Sequence, residues 1–166
     1  MKDSREVDAA TLAQAVNRAA LRYDRAGDQH YDVTSAFIKS IRGSDVDAAL
    51  HYLARMLVAG EDPRFVARRL MVHASEDIGM ADPTALQAAT AASHVVEKVG
   101  MPECRIALAQ ATIHLATAPK SNAAYMAQKA AWKAARETGS LMPPASILNA
   151  PTRLMKDIGY GKGYAY

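Results

Sequence analysis

Helical periodicity, interrupted only by well-placed breakers, is the feature that most constrains the fold of this chain. Apolar residues recur every three or four positions, alanine is abundant, and no stretch of useful length alternates as a strand would. Glycines and prolines stand between the helical stretches rather than inside them. The pattern predicts an all-α fold, a helical bundle of about six to seven helices that ends in an irregular tail rich in glycine and tyrosine.

The breakers also give approximate bounds for the helices. Asp62 and Asp82 each precede a proline, a pairing that caps a helix and starts it with a residue that has no N–H to satisfy. We expect Ser44 to cap an earlier helix and Gly60 to end it in a left-handed conformation. The predicted helices are 8–24, a short one after residue 32, 44–59, 63–78, 83–99, 103–118, one capped at 121 or 122 that ends near 138, and a short one at 152–157.

Length and cysteine content exclude several classes of protein. A chain of 166 residues can bury a core without a metal or a disulfide, and the single cysteine, Cys104, excludes an internal disulfide and a CxxC site. No apolar run approaches the roughly 18 residues of a membrane span, and the polar start is not a secretory signal. We therefore expect a cytoplasmic, nucleoid-associated protein with no membrane partner.

Positive charge is concentrated in the last third of the chain. The whole chain carries +3, whereas residues 119–166 hold seven basic and two acidic side chains. A basic end favours an anionic partner through counterion release, although a solvated surface or a subunit interface has the same composition. The candidate nucleic-acid-binding residues are Lys120, Lys129, Lys133, Arg136, Arg153, Lys156 and Lys162.

One predicted helix carries two adjacent stripes. Lys129, Lys133 and Arg136 follow i, i+4, i+7 spacing, and Tyr125 and Trp132 are also seven residues apart. Basic and aromatic side chains together suit single-stranded nucleic acid. Aromatic and arginine side chains are equally typical of a protein interface, and the sequence favours an interface or core position.

The turn before that helix, around Lys120, Ser121 and Asn122, offers a lysine and exposed helix-start amides. It is therefore a candidate anion-binding corner.

The sequence shows no catalytic or metal-binding constellation. None of the five histidines has a partner ligand at i, i+3 or i, i+4 spacing, and Gly161-Lys162 lacks the Ser or Thr of a phosphate loop. Glu76 and Asp77 end a predicted helix, where the macrodipole disfavours negative charge, so we expect an arginine from another helix to pair there. We expect no enzyme activity, cofactor or metal in this chain.

Several strings of residues resemble the MgsA/RarA family of AAA+ ATPases, which includes the Werner-helicase-interacting protein and is related to clamp loaders. The similarity covers about residues 22–166 in order. The strings are Tyr31 to Phe37, Ser40 to Asp45, Leu53 to Leu57, Gly60 to Pro63, Ala67 to Leu70, Ala74 to Gly79, Ala118 to Ala123, Asn149 to Thr152 and Gly159 to Lys162.

The resemblance implies a domain organisation and a function. Residues 1–28 correspond to the end of a AAA+ helical lid, and residues 29–166 to a C-terminal oligomerisation domain that forms a tetramer. The parent ATPase is expected to bind ATP and Mg²⁺ and to act on DNA at stalled replication forks, with single-strand-binding protein as a partner. This chain lacks Walker motifs and holds no ATP site.

Candidate interface or family-motif residues follow from the same resemblance. They are Glu76, Asp77, Ser121, Asn122, Tyr125, Trp132 and Tyr160. The alternative is a helical nucleic-acid-binding module that uses the basic last third.

Overall fold

The computed structural model describes residues 28–165 and, within the first 27 residues, Ala9 alone. All regular structure in that part of the chain is helical, which confirms the predicted all-α fold. The α-helices are α1 Asp28–Arg42, α2 Val46–Val58, α3 Pro63–His73, α4 Thr84–Lys98, α5 Cys104–Thr117, α6 Ala123–Thr138 and α7 Arg153–Asp157. The helix predicted at 8–24 and nearly all of the predicted lid segment lie outside the described residues.

The chain divides into two compact units, residues 1–127 and residues 128–166. In the first unit, α5 is the central helix and packs against α1, α2, α3 and α4. Because four helices pack against it from different sides, α5 carries buried apolar residues on more than one face. The core consists of Val33, Phe37 and Ile41 of α1, Ala49, Leu53 and Met56 of α2, Val66, Ala67 and Leu70 of α3, Ala85, Ala89, Ala92 and Val96 of α4, and Cys104, Leu108, Ala111, Leu115 and Ala116 of α5.

Asp62 caps its helix as predicted, whereas the predicted helix start at Pro83 is wrong by one residue. Asp62 accepts a hydrogen bond from the backbone N–H of Arg64 at 2.9 Å, and Pro63 is the first residue of α3. Asp82 accepts from the N–H of Thr84 at 3.0 Å, one residue further along than the predicted helix start.

The predicted cap of α2 is wrong by one residue. Asp45, not Ser44, caps the helix, and its carboxylate accepts from the N–H of Ala48 at 2.9 Å. Ser44 has a positive φ of 61°, so it cannot take the extended conformation that an N-cap needs. Gly60, with φ of 85°, ends the segment in the left-handed region as predicted.

The helix predicted at 63–78 also differs from the structure. The α-helical part ends at His73, and Ala74–Ile78 forms a single π-helical turn before the 3₁₀ turn Gly79–Ala81. The wider turn accompanies three long-range hydrogen bonds of Asp77, two from Arg42 and one from Ser121, described below. Tertiary pairing therefore overrides the local preference for a continuous α-helix.

The second unit contains the C-terminal part of α6, a 3₁₀ turn at Ala145–Ile147, and α7. Thr152 caps α7 by accepting from the N–H of Met155 at 3.3 Å. The predicted glycine- and tyrosine-rich tail is irregular, and it folds back so that the N–H of Gly161 donates to the carbonyl of Ala145 at 2.8 Å.

Candidate functional site

An ion-pair junction at Asp77 joins elements that are distant in sequence. Nε and Nη2 of Arg42, the last residue of α1, donate to Oδ1 and Oδ2 of Asp77 at 2.8 and 3.0 Å. This bidentate pair confirms that an arginine from another helix neutralises the acidic turn. The adjacent carboxylate of Glu76 and that of Asp77 both raise the pKa of Arg42, with the hydrogen bond to Asp77 as the largest cause.

A buried histidine completes the junction. The side chain of His73 is 2% exposed, and its Nδ1 lies 2.8 Å from Oδ2 of Asp77, without the alignment that a hydrogen bond requires. Burial lowers the pKa of His73 to about 4, although the charge of Asp77 acts in the opposite direction. The ring is therefore neutral at physiological pH. Asp77 stands at i+4 from His73, so the expectation that no histidine has a partner at that spacing is wrong.

The loop before α6 closes on the same turn. The N–H of Ser121 donates to the carbonyl of Asp77 at 2.8 Å, and a Cβ added to Gly79 would stand 3.3 Å from the carbonyl oxygen of Ser121. Asn122 is exposed, and its carbonyl accepts from the N–H of Met126 at 3.0 Å. The predicted interface residues at positions 76, 77, 121 and 122 thus cluster at this junction, where they connect α1, the π turn and the start of α6.

Lys120 is occupied by its own chain. Its Nζ lies 2.6 Å from the carbonyl oxygen of Ala118, 3.0 Å from that of Ala116 and 3.2 Å from Oγ of Ser44. Three acceptors match the three N–H donors of an ammonium group. Lys120 therefore satisfies carbonyls at the end of α5, and its predicted contact with nucleic acid stays a prediction.

The remaining predicted basic residues lie in the second unit and are exposed: Lys129, Lys133, Arg136, Arg153, Lys156 and Lys162. No residue of α6 is buried, and the side chain of Trp132 is 59% exposed. Trp132 lines a shallow depression of about 410 Å³ together with the three basic residues of the helix. Tyr125 is exposed on the same helix and Tyr160 is half-buried. The core position that the sequence offered for Tyr125 and Trp132 is wrong, because both side chains are exposed. The interface and the nucleic-acid interpretations of the two stripes stay predictions.

An apolar groove between α4 and α5 was not evident from the sequence. It has a volume of about 410 Å³ and is formed by small and aliphatic side chains, chiefly Ala88, Ala91, Ala92 and Val95 of α4 and Ala107, Ala111 and Ile113 of α5. The available signal was the helical spacing of alanines on two neighbouring helices. Short side chains leave a furrow only when the two helices pack together.

Within the part of the chain that the structure describes, no group of three or more His, Cys, Asp or Glu side chains could hold a metal ion. Cys104 is buried, and desolvation raises the pKa of its thiol. No described helix is long and apolar enough to cross a membrane.

Comparison with known proteins assigns the chain to a family. The model of the MgsA AAA+ ATPase C-terminal family matches residues 43–166, and that of the AAA C-terminal domain matches residues 1–42. The chain belongs to the MgsA family. The division into domains at residue 28 stays a prediction.

Full-length relatives support this assignment. An uncharacterised AAA domain-containing protein of Mycobacterium tuberculosis is 59% identical over 160 residues, which cover 96% of this chain and 35% of the relative. Replication-associated recombination protein A of Escherichia coli K12 is 50% identical over 93% of this chain and 35% of its own length. The ATPase WRNIP1 of Dictyostelium discoideum is 42% identical over 93% of this chain and 18% of its own length.

The MgsA-family chain thus spans about a third of the length of the first two relatives, and it corresponds to the C-terminal domain of MgsA AAA+ ATPases. Two of the strings that carry the resemblance, 74–79 and 118–123, meet at the Asp77 junction.

Proposed function

We propose that this MgsA-family chain is the oligomerisation domain of a AAA+ ATPase acting in DNA replication, recombination and repair at stalled forks, and that it joins the subunits into a tetramer. The observation that supports this proposal best is the uncharged, solvent-exposed face of α5 beside the α4–α5 groove. On this face the side chains of Ile106 and Ile113 are 75% and 41% exposed.

The position of α5 makes this exposure unusual. α5 is the central helix of the first unit, and its other faces pack against four helices. The face left to solvent carries Ile106, Gln110, Ile113 and Thr117 at i, i+4, i+7 and i+11, a stripe without charge. Burying an isoleucine side chain stabilises by about 1.5–3 kcal/mol, so a solitary copy leaves a substantial gain unrealised.

The groove has the composition of an interface core. Its described lining contains no Asp, Glu, Lys or Arg, and His114 is its single titratable side chain. Interface cores are depleted of charged residues in the same way. A helix from a second copy would fill the furrow left by the alanines, and an obligate interface of this kind buries roughly 2,000 Å² or more.

The activity of the whole protein is part of the proposal. The relatives are named for replication-associated recombination and, in the Dictyostelium protein, as an ATPase. We infer that the parent protein binds ATP and Mg²⁺, works on DNA with single-strand-binding protein, and resides in the cytoplasm at the nucleoid. A tetramer would hold four ATPase modules at fixed spacing.

Sedimentation velocity on paired variants tests the proposed interface. We expect Ile106→Glu combined with Ile113→Glu to dissociate the assembly, because two unpaired carboxylates would have to lose their water where this face of α5 meets the second copy. Val58→Glu is the matched control, since Val58 is 72% exposed at the end of α2 and outside the groove. A double variant that folds, by circular dichroism, and keeps the assembled mass of the wild type would refute this interface.

A further inference from the structure

A second cavity, which shares no lining residue with the groove, lies between α1 and α3 in the first unit. It has a volume of about 490 Å³ and is lined by side chains of both helices. This volume is within the range of small-ligand sites, about 300–1,000 Å³. Nothing in the proposed oligomerisation uses it.

The cleft is lined by three basic side chains, of which, in the described part of the chain, only Arg42 is paired with a carboxylate, that of Asp77. Lys39 and Arg42 of α1 and Arg69 of α3 line it, and no carboxylate stands among the described residues of its wall. Arg42 is fixed by its two bonds to Asp77, which occupy Nε and one donor of Nη2. Since a guanidinium has five N–H donors, Arg42 keeps further donors in a fixed orientation.

Arg69 supplies a second, independent indication of an anion. Its Nε is buried and finds no hydrogen-bond partner among the described residues. Buried donors on charged groups are normally paired, so this Nε is suited to donate a hydrogen bond to a ligand in the cleft. A phosphate in the cleft would provide the acceptor.

Aromatic rings flank the same cavity. Tyr31, whose side chain is 70% exposed, comes from α1, and Phe65 comes from α3. Rings beside cations suit a ligand that combines a phosphate with a planar base. We propose that this cleft binds one nucleotide unit, with its phosphate on Lys39, Arg42 and Arg69 and its base against Tyr31 and Phe65. The unit is either a free nucleotide or a link of a single strand.

Fluorescence anisotropy with a labelled oligothymidylate, and competition by unlabelled thymidine monophosphate, tests the site on the whole chain. We expect Arg69→Gln and, separately, Lys39→Gln to weaken oligothymidylate binding at least fivefold. The slope of the logarithm of the binding constant against the logarithm of the salt concentration should fall in magnitude by about 0.7 for each phosphate that is no longer neutralised. Tyr31→Ala should weaken binding about tenfold because the base no longer stacks on a ring. Arg68→Gln is the matched control, because Arg68 is the exposed neighbour outside the cleft wall, and it should change affinity less than twofold.

The competition separates the two sources of the ligand. Displacement by the monophosphate identifies a free-nucleotide site, and binding of the oligonucleotide alone identifies a strand site. The proposal is overturned if neither probe binds at 1 mM, or if Arg69→Gln and Lys39→Gln bind as tightly as Arg68→Gln. It is also overturned if Lys129→Gln with Lys133→Gln abolishes binding while both cleft variants keep it, since the site is then on α6.

Discussion

Arg42 and Asp77 form a two-point ion pair in which Nε and Nη2 meet Oδ1 and Oδ2 at 2.8 and 3.0 Å, across 35 residues of sequence. The carboxylate is 12% exposed and the guanidinium 50%. The pair fixes the end of α1 to the π turn that follows α3, so it holds one wall of the basic cleft in place.

Removing the arginine should therefore destabilise the first unit. We expect Arg42→Gln to lower the free energy of unfolding by about 1–2 kcal/mol, because the largely buried carboxylate loses its partner while the half-exposed arginine limits the effect. Urea unfolding measures this free energy. Arg68→Gln removes one positive charge from an exposed site, so its stability should stay within about 0.5 kcal/mol of wild type. Equal stabilities of the two variants would show that the pair contributes nothing.

Some of this junction could be predicted from sequence and some could not. The unfavourable placement of Asp77 at a helix end indicated a distant arginine, but Arg42 is selected only by the way α1 packs. The sequence does not single out His73, because a histidine and one carboxylate four residues apart do not make a metal site, and the burial of the ring depends on packing. The π turn has no local signal, since it depends on contacts with Arg42 and Ser121.

The helix starts could likewise be predicted from sequence, whereas the groove could not. Asp62 and Asp82 predicted helix starts well because capping is a local effect. The groove depends on two helices meeting through alanines, and alanine is first of all a good helix former. The alanine spacing therefore predicts helices, and the groove can be seen only once the two helices are packed together.

His73 predicts a pH dependence of stability. Its pKa falls from 6.5 to about 4 on folding, so between these values the unfolded chain binds more protons than the folded one. Stability is therefore lost as the pH falls from about 6.5 towards 4, by at most about 3 kcal/mol. Unfolding of wild type and His73→Gln across this range measures the contribution, which the variant should lack.

The exposed His51 provides the control for that titration. His51→Gln should retain the wild-type slope. If His73→Gln runs parallel to wild type from pH 6.5 to 4, the buried histidine is not the group responsible.

Gly79 is expected to tolerate no side chain. Its φ of 52° and ψ of −128° are reached by glycine almost alone, and an added Cβ would stand 3.3 Å from the carbonyl oxygen of Ser121. We expect Gly79→Ala to cost about 2–4 kcal/mol in thermal or urea unfolding. Gly100→Ala, with φ of 76° and no atom within 4 Å of its Cβ, should cost only about 1 kcal/mol. If the two variants lose similar amounts of unfolding free energy, the close approach of the Ser121 carbonyl to Gly79 does not restrict that position.

The mass of the chain in solution, measured by sedimentation equilibrium at tens of micromolar, tests the proposed assembly most directly. A tetramer of this 17.8 kDa chain has a mass of about 71 kDa, and that is the value we predict. A single species at 17.8 kDa over the whole concentration range would contradict the proposal that α5 meets a second copy.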